Sequence, residues 1–457
     1  MKKIKSISFL FLLLFSASFQ AQTKKWTLEE CVNYALKNNI SIKQSELDTK
    51  TADIDRKGAL GNFLPSLNAN ASHSWNVGLN QDITTGVLRN QTTQFTSAGA
   101  SMGVTIYNGL QNQNLLRRAN LSIVASKYQL LKMQEDVSLN VANAFLQVLF
   151  NKENLKVQQE QLAINEKQLI RSQELVAAGS VPRGDLLDIK ATVALDGQKV
   201  IAADNAVLIS KLSLTQLLQL KEFENFDISD ETNVKDSNGI LSQTPTAIYN
   251  KSKEIKTELK IANTNLEIAQ KNVAIAKGDF QPVLKGFYNF SSRVSYADVP
   301  DFDPITKNLI GTKSAAPFFN QFSDNKGQSF GAQLSIPIFN GFSARNNVER
   351  SKVNLEKSKI ALEQQEIDLQ RNVFTAFADA KGALKGYESS VIALEARQEA
   401  YNYAKEKYAV GMMNSFDFNQ SQTLLTTAQS EVLRTKYDYI FKIKILEFYF
   451  GIAIVKN

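Results

Sequence analysis

The sequence predicts a mainly helical chain that carries β-strands of the membrane-barrel type and is written twice in tandem. Each copy has the order helix, strand, strand, long helix, returning helix. Three observations predict this: an ordered set of self-matches at fixed offsets, two very long stretches almost free of helix breakers, and four segments of strict polar–apolar alternation.

The self-matches come first, because a fixed period reveals an architecture before any local pattern does. A shift of 232 residues places Leu155, Leu162, Leu169 and Val176 on Tyr387, Leu394, Tyr401 and Tyr408. It places Leu186, Val193, Val200, Val207 and Leu214 on Phe418, Leu425, Val432, Tyr439 and Leu446, Gly109 on Gly341, and Gly179 on Gly411. Upstream the shift is 217, taking Gly61, Phe63 and Pro65 to Gly278, Phe280 and Pro282, so the second copy holds 15 extra residues between Pro282 and Gly341. The expected organisation is a first copy over 22–220, with a β-hairpin about 65–108 and a helical tip near 179–185. A linker rich in Asp, Glu, Asn and Ser follows at 221–243. The second copy covers 244–457, with a hairpin about 282–340 and a tip near 411–417.

The helices follow from what is missing. Residues 110–178 contain neither Pro nor Gly, and 342–410 contain only Gly382 and Gly386. At 1.5 Å per residue, such a helix is on the order of 100 Å long. Its apolar residues recur every seven positions, as in Ile123, Leu130, Val137 and Ala144 or Leu355, Leu362, Leu369 and Ala376, the period of supercoiled, packed helices. Short turns at Gly179 and Gly411 make each long helix fold back on its successor. The helices alone fit a coiled-coil rod.

The strands point elsewhere. Leu67, Ala69, Ala71, His73, Trp75, Val77 and Leu79 alternate with Ser66, Asn68, Asn70, Ser72, Ser74, Asn76, Gly78 and Asn80. The same alternation runs through Ala98–Ile106, Leu284–Val294 and Phe330–Ile338. Period-two alternation puts one face against an apolar medium and the other against water. Aromatics towards the strand ends (Trp75, Phe95, Tyr107, Phe280, Tyr296, Phe339) fit an outer-membrane barrel wall. Four strands cannot close a barrel, and lipid does not tolerate an open sheet edge. Other copies of the chain must close it: two would give eight strands around a filled interior, three would give twelve around a channel.

Composition narrows the function classes. Lys2, Lys3 and Lys5, the apolar run Ile7–Phe15 and the small residues Ala17, Ser18 and Ala21 read as a secretory signal over 1–21. Without its three lysines the chain has 49 basic and 45 acidic residues, a near balance that argues against nucleic acid as a partner. Cys31 and His73 are the only residues of their kinds. No intrachain disulfide can form, and no nucleophile–base set, metal-ligand spacing or phosphate loop stands out, so an enzyme is the least supported class and no cofactor is expected. Cys31 reads as a small core residue and His73 as a residue of the aromatic girdle.

Several motifs, weak singly, recur in order in both copies. Trp26-Thr27-Leu28-Glu29-Glu30-Cys31-Val32, followed by Ala35-Leu36 and Asn38-Asn39, opens the chain with a capping box between Thr27 and Glu30. Gly61-Asn62-Phe63-Leu64-Pro65 and Gly278-Asp279-Phe280-Gln281-Pro282 lead from helix to strand. Ile106-Tyr107-Asn108-Gly109 and Ile338-Phe339-Asn340-Gly341 lead back. With the tips Gly179…Asp185…Asp188 and Gly411…Asp417, this set resembles the TolC-like outer-membrane efflux factors over essentially the whole mature chain. The resemblance implies a homotrimer: a 12-stranded β-barrel in outer-membrane lipid, continued by a long α-helical coiled-coil barrel across the periplasm. It implies an exit duct for tripartite efflux or type I secretion, opened at its tips by a periplasmic adaptor protein and an inner-membrane RND, ABC or MFS-type transporter. The turns near 80–94 and 297–328 would be extracellular.

The resemblance also carries the candidate sites. Gly179, Asp185, Asp188, Gly411, Asp417 and Gln420 fall at the tip and constriction. A ring of carboxylates in a narrow pore favours cations, whereas Asp in a first helical turn can simply cap the helix; both readings stand for Asp185 and Asp417. Gln420 and Met413 occupy positions where the family carries an acid and a base. Val181, Leu186, Met412, Met413 and Phe416, with Arg183, are candidates for adaptor contact, the alternative being packing between neighbouring tips or, for Arg183, plain solvation. The competing function class is a trimeric surface adhesin or structural rod without transport.

Overall fold

The computed structural model describes residues 25–81, 86–221, 225–229 and 239–454. The signal segment 1–21 and most of the linker 221–243 lie outside them. The first copy contains β1 (Lys25–Trp26), α1 (Leu28–Asn38), α2 (Ile40–Gly61), β2 (Ser66–Gln81), β3 (Leu88–Asn108), α3 (Gln111–Ala177) and α4 (Arg183–Leu218). After β4 (Asp227–Ile228) the second copy contains α5 (Pro245–Ile255), α6 (Thr257–Lys277) and β5 (Val283–Ser295). A small hairpin of β6 (Val299–Phe302) and β7 (Leu309–Lys313) follows, then α7 (Phe318–Asp324), β8 (Gly327–Ser335), α8 (Ser343–Ala409) and α9 (Ser415–Phe450).

The duplication is visible in the backbone. α3 and α8 each have 67 residues, and α4 and α9 each have 36. Left-handed residues recur in step: Gly109 and Leu110 match Gly341 and Phe342, Gly179 matches Gly411, and Gln219 matches Gly451. Thr27 and Thr244 cap α1 and α5 alike, each hydroxyl accepting from a backbone N–H three residues on. At Thr27 the Glu30 carboxylate returns a bond to the cap's own N–H at 3.0 Å, completing the capping box.

The chain divides into two units, one of them drawn from residues up to Asp48, Lys127–Ile261 and Glu363 onward. Its core gathers Cys31, Val32 and Ala35 of α1 with Val141, Phe145 and Leu149 of α3, Leu214 and Leu218 of α4, and Tyr437 and Ile440 of α9. None of the heptad residues named above is exposed, as interdigitated seams require. Trp26 meets Tyr34 edge-on at 5.2 Å and Phe226 at 5.9 Å, and the parallel pairing of β1 with β4 ties the chain's beginning to the linker. Cys31 is fully buried, which pushes its thiol up to about 12 and keeps it protonated and inert.

The other unit comprises Thr49–Ser126 and Ala262–Leu362 and holds a four-stranded antiparallel sheet in the order β2-β3-β5-β8. Cross-strand register sorts its faces. One row runs Leu67, Met102, Tyr288, Phe330, and the next on that face Ala69, Ala100, Phe290, Gln328. The opposite face carries Asn68, Ser101, Asn289 and Ser329. The alternation read from sequence is thus a mainly apolar face that reaches across all four strands, interrupted by Thr96, Ser292 and Gln328.

The strands depart from expectation at their ends. β3 begins at Leu88 and pairs to Gln81, so much of the expected turn near 80–94 is strand. β8 stops at Ser335 although the alternation continues through Ile336 and Ile338, because Pro337 has no N–H to donate. A bulge between Thr105 and Tyr107 lets Val104 and Ile106 both reach over Gly286. The connection between β5 and β8, which contains the 15 extra residues of the second copy, forms β6, β7 and α7. α7 docks onto β5 through Phe322 against Phe290 and through Gln321 and Asn325 hydrogen bonds to its backbone.

Candidate functional site

The two tips are built by the same local chemistry. At the end of α3, Gly179 (φ +71°) donates to the Val176 carbonyl and Ser180 to that of Leu175. At the end of α8, Gly411 (φ +77°) donates to Tyr408 and Met412 to Lys407. This paired closure needs a left-handed residue, which glycine supplies without strain. The returning helices start differently. Pro182 precedes α4 and offers no side-chain cap, whereas the Asn414 side chain accepts from the Asp417 N–H at 2.8 Å. Asn414 in turn donates to the Asp417 carboxylate at 2.9 Å.

The capping alternative for Asp185 and Asp417 is therefore corrected in detail. Both sit in the first turn, where a carboxylate meets the positive end of the helix, but the second tip is capped by Asn414. Its signal, Asn414-Ser415-Phe416-Asp417, is a capping-box spacing visible in the sequence. Replacing Asn414 with Ala should cost the start of α9 about 1 kcal/mol. Hydrogen exchange at the 415–418 amides should speed up roughly fivefold, with the rest of α9 unchanged.

Around these turns the surface is mixed. Asp188, Asp417, Gln420 and Arg183 are exposed, and Asp185, Val181, Leu186 and Met413 are half-buried. Met412 and Phe416 stand out at 77% and 69% exposure, far above what a packed side chain shows. Phe418 beside them is buried and stacks on Tyr408 at 4.6 Å. The Tyr408 hydroxyl accepts from Gln168 at 3.0 Å, joining the two helical hairpins. Two further polar bonds join them, Gln158 to Ser430 at 3.3 Å and Thr426 to Gln161 at 2.6 Å.

Sequence reasoning missed this polar seam. Gln158, Asn165 and Ser172 recur every seven residues, interleaved with Leu155, Leu162 and Leu169. One of two heptad core positions in this stretch is thus polar. Asn165 and Asp196, both almost fully buried, bond at 2.5 Å, and Lys199 pairs the carboxylate's other oxygen at 2.9 Å.

The sheet supplies the second functional surface. Val77 and Phe330 are 81% and 82% exposed on its apolar face, with His73, Trp75 and Tyr296 clustered at the Val77 end. The His73 Nδ1 and the Tyr296 hydroxyl both reach the Thr96 hydroxyl, at 2.8 and 3.0 Å. Exposed apolar side chains gathered on one face mark a surface that contacts something other than bulk water. Among the described residues no helix is long and apolar enough to cross a membrane.

A two-faced sheet with open edges, in a duplicated chain of long paired helices, defines the class of outer-membrane channel protomers. Residues 31–219 and 248–444 match the outer membrane efflux protein family, and the chain belongs to that family. No curated protein sequence matches it. Among solved structures it is similar to CusC (TM-score 0.76, 16% identity, covering 93% of this chain and 92% of that one). It is also similar to VceC of Vibrio cholerae (0.75, 14%, 93% and 96%) and to the CmeC outer membrane channel of Campylobacter jejuni (0.75, 18%, 93% and 85%). At such identities the likeness carries the fold. The family places the chain in the outer membrane as an efflux protein.

Proposed function

We propose that the chain is one protomer of a homotrimeric channel-tunnel, the passive exit duct of a tripartite efflux or type I secretion system. The observation that carries this reading is the sheet. Its apolar face reaches across all four strands, and among the described residues β2 pairs only with β3 and β8 only with β5. β8 runs antiparallel to β2, so β8 of one copy can extend the ladder onto β2 of the next without reversing direction. Repeating that head-to-tail contact closes a ring and removes every edge from lipid. Three copies give twelve strands and a water-filled lumen.

At the tips, Asp185, Asp188, Asp417 and Gln420 would border the constriction, and the exposed Met412 and Phe416, with Val181, Leu186, Met413 and Arg183, would meet the adaptor. Energy comes from the inner-membrane partner. An adhesin or rod has no use for an apolar sheet inside each repeat.

The test is a covalent ladder. One cysteine on β2 and one on β8, bridged in isolated outer membranes, should give dimers and trimers and nothing larger. A ladder running past three, or a chain that stays monomeric, would overturn the proposal.

A further inference from the structure

The polar face of the sheet carries charge of one sign only. β2, β3, β5 and β8 contain no Asp or Glu. Register places Lys285 beside Thr105 and Gln333, and Arg293 beside Ser97, all on the face opposite Leu67 and Phe330. Both basic side chains are exposed, and neither forms an ion pair among the described residues. Arg293 is nonetheless held in place: its guanidinium lies over the Phe95 ring, 3.8 Å from the centroid, which fixes its position without neutralising it. Arg89 shares the face but is engaged elsewhere, so the uncompensated charge rests on Lys285 and Arg293. The remaining residues of the face are Ser, Asn, Thr, Gln and Gly with Phe95, Val283 and Phe287.

We propose that the passage lined by this sheet is electropositive and favours anionic solutes (carboxylates, phosphates, sulfonates) over cations, with Lys285 and Arg293 as the residues that set the preference. The inference rests on the reading of the sheet as the wall of a water-filled duct. In three copies the two positions form two rings of three positive charges with no acid on the strands to offset them. A narrow aqueous space with low-dielectric walls focuses such a field. Rings of basic side chains are how anion pores are made.

Single reporter cysteines test this in outer membranes of intact cells. Ser97→Cys lies directly across from Arg293 and Gln333→Cys across from Lys285, within about 5 Å between Cβ atoms, and native Cys31 is buried. Each reporter is treated with an anionic and a cationic methanethiosulfonate of similar size, and the ratio of rates is divided by that for a free thiol. The normalised ratio should favour the anion about tenfold at low salt and shrink as salt is added. Arg293→Gln should bring it near one at position 97 while Arg293→Lys keeps it, and Lys285→Gln should do the same at position 333. Equal rates, or faster cationic labelling, in a protein that still forms the β2–β8 ladder would overturn the anion preference and leave the duct standing. No labelling by either reagent would show that this face meets no water, and both proposals would fall.

Discussion

Gly109→Val should cost about 3–5 kcal/mol and remove most of the protein from the outer membrane, whereas Gly341→Val, at the equivalent place in the second copy, should cost only about 1–2. Both glycines are left-handed, with φ of +66° and +62°, so a β-branched side chain meets the same backbone strain at each. Their surroundings differ. A Cβ at Gly109 would stand 2.5 Å from the Gln281 Cβ and 2.6 Å from the Gly278 carbonyl oxygen, while a Cβ at Gly341 meets nothing within 4 Å. The crowding at Gly109 involves backbone, which cannot swing aside. It arises where the first strand-to-helix junction packs on the second helix-to-strand junction, beside the hydrogen bond from Gln111 to Asp279 at 2.6 Å. Membrane levels and the thermal midpoint of the detergent-solubilised protein measure the difference. Equal losses for the two variants would show that strain alone matters.

The second large effect runs in the stabilising direction. Lys256 closes α5 and is only 4% exposed. Burial pushes its ammonium down from 10.5 to about 8, against the opposing pull of Glu135, Glu258 and Asp136. That difference corresponds to roughly 3 kcal/mol lost to keeping the charge buried at neutral pH, part of it returned by the Phe448 ring, whose centroid is 3.0 Å from Nζ. The sign follows from proton counts. Between about 8 and 10.5 the unfolded chain holds the proton and the folded chain has released it, so stability rises with pH across that window. The penalty is complete below it and gone above it.

Lys256→Met should therefore raise stability at pH 7 by about 1–2 kcal/mol, and the advantage should fade towards pH 10.5. Glu135, whose carboxyl burial raises and Lys256 lowers, loses its cation in that variant. The double variant with Glu135→Gln is accordingly the cleaner comparison. Thermal midpoints taken from about pH 7 to 10.5 decide the matter: a Met variant less stable than the parent at every pH would show that the cation–ring contact outweighs the burial.

Much of this architecture was legible before any coordinates, because it is periodic. The offset of 232 read from Gly109, Gly179 and the heptads returns as helices of equal length and as matched left-handed residues. The alternation of Leu67–Leu79 returns as a surface. What escaped was written in chemistry without a period. The start of β3 at Leu88 was hidden because Arg89, Asn90 and Gln91 are polar in succession and carry no alternation, although they pair with the alternating Gly78, Leu79 and Asn80. The end of β8 was overrun because Ile336 and Ile338 keep the rhythm that Pro337 breaks. At the tips, Asn414 escaped because an Asn followed by Ser after a glycine turn also reads as ordinary turn chemistry. A lysine ordinarily lies at the surface, so Lys256 gave no sign of its burial; its counterpart Asn39 directs its side chain to the Leu217 carbonyl and the Ser41 N–H, and nothing in a linear string tells a buried hinge position from a wet one.

The unequal tolerance of the two repeats has a consequence for engineering and descent. The second hairpin absorbed 15 residues, yet α3 and α8 remain 67 residues each and α4 and α9 remain 36. Such helices act as a gauge set to a fixed distance. A heptad added to one hairpin alone keeps every seam in phase but leaves its tip out of level with its twin, so only matched insertions in all four helices could retune the span. Foreign sequence is better carried between β5 and β8, where nature has already spliced some in.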